Sequence, residues 1–231
     1  MHFAHLFVPL QGERTTRNDE TETMKRTILF YFIIILGALE TMGQTTTAPN
    51  EARQTFDKVY DMVFGPQGST LRYDVNIIGL YKTHGTIWYK GKKQRFSDER
   101  VNTWNDGTTA YMVFRKKHTV EIHHANSDKK DKYSGKFKFD LEDFDYSMKT
   151  EGNDILLILK QRPKAKGTVK EVRALVDAET LVPSYVKVRV ALFWAKIRIS
   201  NFKAGGISDD MFVFPADRYK EGYKWIDKRK K

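Results

Sequence analysis

From residue 70 onward, the chain changes polarity at every second position. In "TLRYDVNIIGLY", Leu71, Tyr73, Val75 and Ile77 alternate with Arg72, Asp74 and Asn76. Successive side chains on a strand point to opposite faces, so this segment has one apolar and one wetted face. Strand-like segments follow at short intervals: "HGTIWYKG", "KQRFSDERV", "TAYMVFR", "HTVEIHH", "DILLILKQ", "KEVRALVD", "SYVKVRVALFW" and "KIRISNF". Asp106-Gly107, Gly152-Asn153-Asp154, Lys166-Gly167 and Gly205-Gly206 punctuate them as turns. The pattern predicts a large antiparallel meander. Val186, Val188, Val190, Leu192 and Trp194 alternate and are read as one continuous strand. "ILLIL" at 155–159 is apolar on both faces, which predicts cover on its second side. The charged interval 126–150 reads as a loop or short helix, then a strand around Phe144 to Lys149.

Before the meander the period differs. Ala52, Phe56, Val59, Tyr60 and Val63 fall on one stripe of an amphipathic helix over 51–64. Asn50 is placed as its N-cap, and Gly65-Pro66 ends it. A long twisted antiparallel sheet curls toward a barrel. The fold class expected is therefore mainly β: a curved antiparallel sheet forming an incomplete β-barrel, with the N-terminal helix across its concave face. Periodicity leaves open whether side chains fill that concavity or a ligand does.

The N-terminal part makes a different statement. "MKRTILFYFIIILGAL" starts at Met24, with a short basic region and an apolar run from Ile28 to Leu39. A bilayer span needs about 20 apolar residues, and the shorter run suits a secretory signal. Residues 24–43 are read as a signal peptide, cleaved after Gly43 or, as second choice, Ala48, with a non-cleaved membrane anchor as the competing reading, and 1–23 as an extension from a misassigned start. A peptide from residues 2–22 found in cells of the source organism would sink that start assignment. Residues 44–231 are expected to form a single domain. Cutting after Gly43 removes four basic and five acidic residues, leaving 36 against 24, a net +12. That charge suits an anionic membrane surface or an acidic partner. Export argues against nucleic acid. The chain has no cysteine. Secreted eukaryotic domains usually carry disulfides, so a bacterial periplasm is the expected location. No lipid can be attached through cysteine either.

The stretch "HGTIWYKGKKQRFSDERVNTWNDGTTAYMVFRKKHTVEIHHA" resembles the outer-membrane lipoprotein carrier family, the LolA-type periplasmic chaperones. A glycine opens an apolar strand with Trp88, and a basic turn, Phe96 and a polar strand follow. Asp106-Gly107 makes a hairpin before an aromatic strand with Tyr111. The ending "SDDMFVFPADRYKEGYKWIDKR" is similar to that family's closing pattern. There a Phe-x-Phe strand (here Phe212, Phe214) precedes a proline loop (Pro215) and a final segment with Asp227 and Arg229. The resemblance covers roughly residues 50 to 229. It implies an incomplete barrel with helices as a lid over a hydrophobic cavity. It further implies a carrier that takes acyl chains of lipoproteins or lipids from an inner-membrane release complex to an outer-membrane acceptor, and a monomer is the default expectation for such a shuttle. It implies no enzyme activity and no cofactor. Gly91, flanked by Lys90, Lys92 and Lys93, stands where many members carry an arginine that holds the lid closed.

Candidate lipid-cavity residues are Phe56, Tyr60, Tyr73, Val75, Ile77, Ile87, Tyr89, Phe96, Val113, Val188 and Val190. Ordinary core packing is the competing reading for each, and a one-residue slip in register swaps the set. Lys90, Lys92 and Lys93 are candidates for partner or membrane contact, as are the basic tail and Lys129-Lys130. His118, His123 and His124 do not suggest a metal site, because adjacent strand residues face opposite ways and no His-x-x-x-His helix occurs. "DLEDFD" at 140–145 lacks calcium-loop spacing and reads as a solvated loop. The sequence holds no P-loop, dinucleotide fingerprint or Gly-x-Ser-x-Gly. Besides a carrier, a lipid- or partner-sensing envelope module with the same fold, and less readily a lipid hydrolase, fit the pattern.

Overall fold

The computed structural model describes residues 51–77, 81–125 and 140–229. The signal segment, the extension before it, the Asn50 cap and Lys129-Lys130 lie outside these. Helix α1 (Glu51–Phe64) forms where the 3.6-residue stripe predicts it. Six strands follow as one meander: β1 (Ser69–Ile77), β2 (Tyr81–Lys90), β3 (Lys93–Asp98), β4 (Val101–Asn105), β5 (Thr109–Phe114) and β6 (Thr119–His124). The second meander is β7 (Phe144–Glu151), β8 (Asp154–Gln161), β9 (Val169–Asp177), β10 (Pro183–Val190) and β11 (Phe193–Ala204). A last strand, β12 (Lys224–Asp227), pairs in parallel with β6.

All twelve belong to one sheet, ordered β12-β6-β5-β4-β3-β2-β1-β11-β10-β9-β8-β7. The two meanders meet where β1 pairs with β11. β7 and β12 are its two ends, so the sheet stays open. It is also bent. β7 and β2 are six strand spacings apart, about 29 Å if flat. The 14-residue α1 is only about 21 Å long. Yet its Phe56 ring lies 5.3 Å from Tyr146 on β7, and its Phe64 ring lies 4.7 Å from Tyr89 on β2. The sheet must therefore arch around the helix. The face toward α1 is called the inner face below.

Pairing register sorts the two faces. Met112 and Phe114 belong to the core beneath α1, whereas Tyr111 and Val113 pack on the outer face with Trp104, Val120 and Tyr219. That outer cluster is covered by the segment after β11, which also contributes Phe214 and Tyr223. In β8 both faces are buried: Leu157 and Leu159 inside, Leu156 and Ile158 outside. Gly85 has its own packing reason. The Tyr73 side chain crosses over it to stack on Phe96 at 5.6 Å, and a Cβ at Gly85 would sit 2.6 Å from the Tyr73 hydroxyl oxygen.

Four sequence readings are corrected. "SYVKVRVALFW" is not one strand, because the chain reverses at Ala191-Leu192 between β10 and β11. "KQRFSDERV" is two strands. The buried Asp98 carboxylate accepts from the amides of Arg100 and Val101 at 2.7 and 2.8 Å, which closes a turn there. Phe212 and Phe214 form no strand: Phe212 ends a 3-10 turn (Asp209–Phe212), and β12 comes after it. The short helices do not all serve as lid. The 3-10 turn Leu141–Asp143 meets α1 through Glu142, whereas Tyr219 of the turn Ala216–Tyr219 packs on the outer face.

Candidate functional site

Between α1 and the inner face lies a cavity of about 60 Å³. The helix contributes Phe56, Val59, Tyr60, Val63 and Phe64. The first meander contributes Leu71, Tyr73, Ile87 and Tyr89. The second contributes Leu157, Leu159, Val172, Ala174, Pro183, Val186, Ile197 and Ile199. Among the described residues no charged side chain lines it. An array of rings runs along the helix over this space. Tyr146 meets Phe56, Phe56 lies 6.0 Å from Tyr60, Tyr60 lies 4.8 Å from Phe64, and Phe64 meets Tyr89.

The two ends of α1 are held differently. At its C-terminal end the Ser69 hydroxyl donates to the Val63 carbonyl at 2.7 Å, fully buried. The Gly91 amide donates to the Gly65 carbonyl at 3.1 Å. Gly91 thus secures the last turn of α1 through its backbone, where the resemblance places an arginine side chain. At the N-terminal end the hold is exposed. Arg53 pairs with Asp57 and Glu142, both at 3.0 Å, and its guanidinium lies 4.8 Å above the Tyr146 ring. Exposed ion pairs contribute about 0–1 kcal/mol, so this end is the weaker one. Gly65-Pro66-Gln67-Gly68 joins α1 to β1, and Gly68 takes a left-handed φ of 75°.

Of the residues singled out from sequence, Phe56, Tyr60, Tyr73, Ile87 and Tyr89 line the cavity. Val75, Phe96 and Val188 are buried in the surrounding core, and Val190 packs half-buried against it. The side chain of Ile77 lies outside the described residues. Val113 is on the opposite face, in the outer cluster. Lys90 donates to the Ile207 carbonyl and pairs with Asp209, both at 2.9 Å, and Lys93 reaches the same carboxylate at 3.2 Å. These hydrogen bonds hold the Asp209 carboxyl below its ordinary value. Lys90 and Lys93 therefore tie down the segment after β11. Lys92 lies between them on the β2–β3 turn.

Sequence reading missed most of the far wall. Val59 and Val63 share the helical stripe with Phe56 and Tyr60, a signal that could have found them. Leu157 and Leu159 were visible in "ILLIL". Nothing local marks Ala174 or Pro183 as cavity residues.

At the other end of the inner face, polar side chains are buried: Gln94, Thr103, Asn105, Glu121 and His123. His123 Nε2 lies 3.2 Å from Glu121 Oε2, and His124 faces away, exposed. Among the described residues no group of three His, Cys, Asp or Glu could hold a metal ion. Among them, too, no helix is long and apolar enough to cross a membrane.

The sequence matches no protein-family model and no curated protein. Solved structures similar to it include the following three. A LolA superfamily protein from Nitrosomonas europaea is 10% identical over 71% of this chain and 98% of that one, with a TM-score of 0.38. A DUF1329 family protein from Desulfovibrio piger is 13% identical over 71% and 98%, with a TM-score of 0.36. A domain from Vibrio parahaemolyticus, named for outer membrane lipoprotein sorting, is 7% identical over 74% and 99%, with a TM-score of 0.37.

Proposed function

We propose that the chain is a carrier for acyl chains, which enter beneath α1 when the helix lifts. The observation that carries this is the apolar, ring-lined space between α1 and an open sheet. In the closed state it is too small for cargo: about 60 Å³, against the roughly 300 Å³ or more of ordinary ligand sites. The helix side chains occupy the space themselves. Exposing Phe56, Val59, Tyr60, Val63 and Phe64 would cost about 2 kcal/mol each, about 10 in all, as an upper bound. An acyl chain of about 14 methylenes gains about 11 kcal/mol on leaving water. The two amounts nearly balance, so replacing lid by cargo is close to neutral in free energy. A carrier needs that balance, because it must also release.

On this reading the chain is exported, loses residues 24–43 and works as a monomer in the periplasm. It takes lipoprotein or lipid acyl chains from an inner-membrane release complex to an outer-membrane acceptor. The helix swings about Gly65–Gly68, and the Arg53–Glu142 end opens first. No covalent chemistry is required of the protein.

Native mass spectrometry on protein purified without detergent, followed by organic extraction, tests this. Acyl-bearing species at defined stoichiometry are expected. A clean mass, unchanged after incubation with lysophospholipid and with a lipoprotein, would rule the carrier out.

A further inference from the structure

The β10–β11 hairpin has a tip that does not suit water. Val190 and Phe193 pair across the two-residue turn Ala191-Leu192. Leu192 is 90% exposed, Phe193 67% and Trp194 38%. Such turns favour Asn, Asp and Gly. Here Ala191 adopts a φ of 51°, a region uncommon for a residue with a side chain. The sequence accepts that conformation while presenting three large apolar side chains in succession.

Behind the tip the outer face of the sheet is basic. The guanidinium carbons of Arg173 and Arg189 lie 5.0 and 5.9 Å from the Trp194 ring. Glu171 pairs with both, at 2.6 and 3.3 Å, and offsets one of the two charges. The ammonium groups of Lys196 and Lys187 lie 4.4 and 5.4 Å from the Tyr185 ring. Along the hairpin the order is thus apolar tip, tryptophan with arginines, then tyrosine with lysines.

We propose that this hairpin is a membrane-docking device that inserts into an anionic lipid bilayer. At about 3.4 Å per residue, Trp194 and Arg189 stand roughly 7 Å behind the tip. Interfacial segments bury their apolar part about 5–10 Å into the headgroup boundary. Leu192 and Phe193 then enter the acyl region, Trp194 sits at the interface, and the cations meet lipid phosphates. The whole chain carries a net charge of +11, which favours the same surface. A second copy is a poor occupant, since it would set these cations against their own kind. The tip is separate from the cavity: Val186, the cavity residue of β10 nearest to it, is about 17 Å away along the strand. The proposal therefore stands whether or not that cavity takes acyl chains.

The absence of cysteine makes a site-specific test possible in the full chain. Leu192→Cys is labelled with the environment-sensitive dye NBD. Glu179→Cys, exposed at the opposite end of the hairpin strands, is the control. Each is mixed with phosphatidylcholine vesicles containing roughly one third phosphatidylglycerol. The label at 192 is expected to brighten about threefold and to be quenched by nitroxides on the acyl chains, with no change at 179. A label at 192 that stays in water on vesicle-bound protein would overturn the proposal, even if residues 24–39 hold the chain to the membrane. Equal insertion into pure phosphatidylcholine would overturn the anionic requirement. Shielding of 192 without vesicles, growing with protein concentration, would assign the tip to a second copy instead.

Discussion

Ala174 on β9 lines the cavity and is buried at 9% exposure. Replacing it with valine adds two carbons facing a void of about 60 Å³. Two buried carbons are worth about 1.6 kcal/mol by transfer. The void itself, at about 24 cal/mol per Å³, costs about 1.4 kcal/mol. The two routes agree, so Ala174→Val should stabilise the closed protein by about 1.4 kcal/mol, and valine suits a strand. In a domain of this size that raises Tm by about 3–5 °C. The same substitution acts against cargo. If ligand binds only after α1 lifts, extra stability of the closed state comes off the binding free energy, and 1.4 kcal/mol is about tenfold in Kd. Differential scanning calorimetry and titration with a fluorescent fatty acid read the two effects on one preparation. A rise in Tm with unchanged fatty-acid affinity would show that cargo does not go beneath α1. A fall in Tm would show that the space cannot accept two carbons, and the packing argument itself would fail.

Other expectations follow from single contacts. Arg53→Ala removes the exposed hold on α1, so fatty acid should enter faster in stopped flow while stability changes by less than about 1 kcal/mol. Gly85→Ala places a Cβ against the Ser97 carbonyl oxygen and 2.6 Å from the Tyr73 hydroxyl. It should cost about 1–3 kcal/mol in urea unfolding, and a neutral result would refute the close approach. Among the described residues the buried Tyr73 hydroxyl makes no hydrogen bond of ordinary geometry, although the Thr83 side chain is close enough to act on it. Tyr73→Phe should therefore be neutral or stabilising by up to about 1 kcal/mol, and a clear loss would reveal a partner. Asp209 is held below its ordinary value of 3.8 by Lys90 and then Lys93. A depressed carboxylate contributes stability above its unfolded pKa and loses it as pH falls through the folded one. The advantage of wild type over Asp209→Asn should thus be full at neutral pH and fade below about pH 4, read as the difference in thermal midpoint.

The parts legible in the sequence are those set by local rules. The stripe from Ala52 to Val63, the Asp106-Gly107 hairpin and the span of β8 all follow from periodicity and turn chemistry. The open curved sheet follows from the number of alternating segments. Where reading failed, a non-local or strained feature decided. Ala191-Leu192 gives no turn signal, because alanine is not a residue that normally takes the left-handed backbone found at Ala191. Alternation cannot reveal which face is inner, so sequence alone puts Val113 among the cavity residues, whereas its register puts it on the outer face. The Lys90 and Lys93 ammonium groups find Asp209 more than a hundred residues later, and no spacing rule spans that. β12 is a short parallel partner to β6, and its few residues carry no pattern of their own. Five of the eleven cavity candidates line the space, and four more pack around it. The far wall was missed because it comes from strands brought across by the sheet order.

That sheet order has a kinetic side. Each meander can zip through neighbouring hairpins, but β1 meets β11 across more than a hundred residues: Ser69 pairs with Ala204, and Asn76 with Lys196. Closing a loop of that length costs about 4 kcal/mol of chain entropy, recovered only as the ladder between those two strands forms. Folding should therefore end with the joining of two partly built sheets, and pulsed hydrogen exchange would show the β1 and β11 amides protected last. Until they join, both strands present unpaired edges, the kind of surface on which chains aggregate. A chain with this topology is most vulnerable in the interval before its two halves meet.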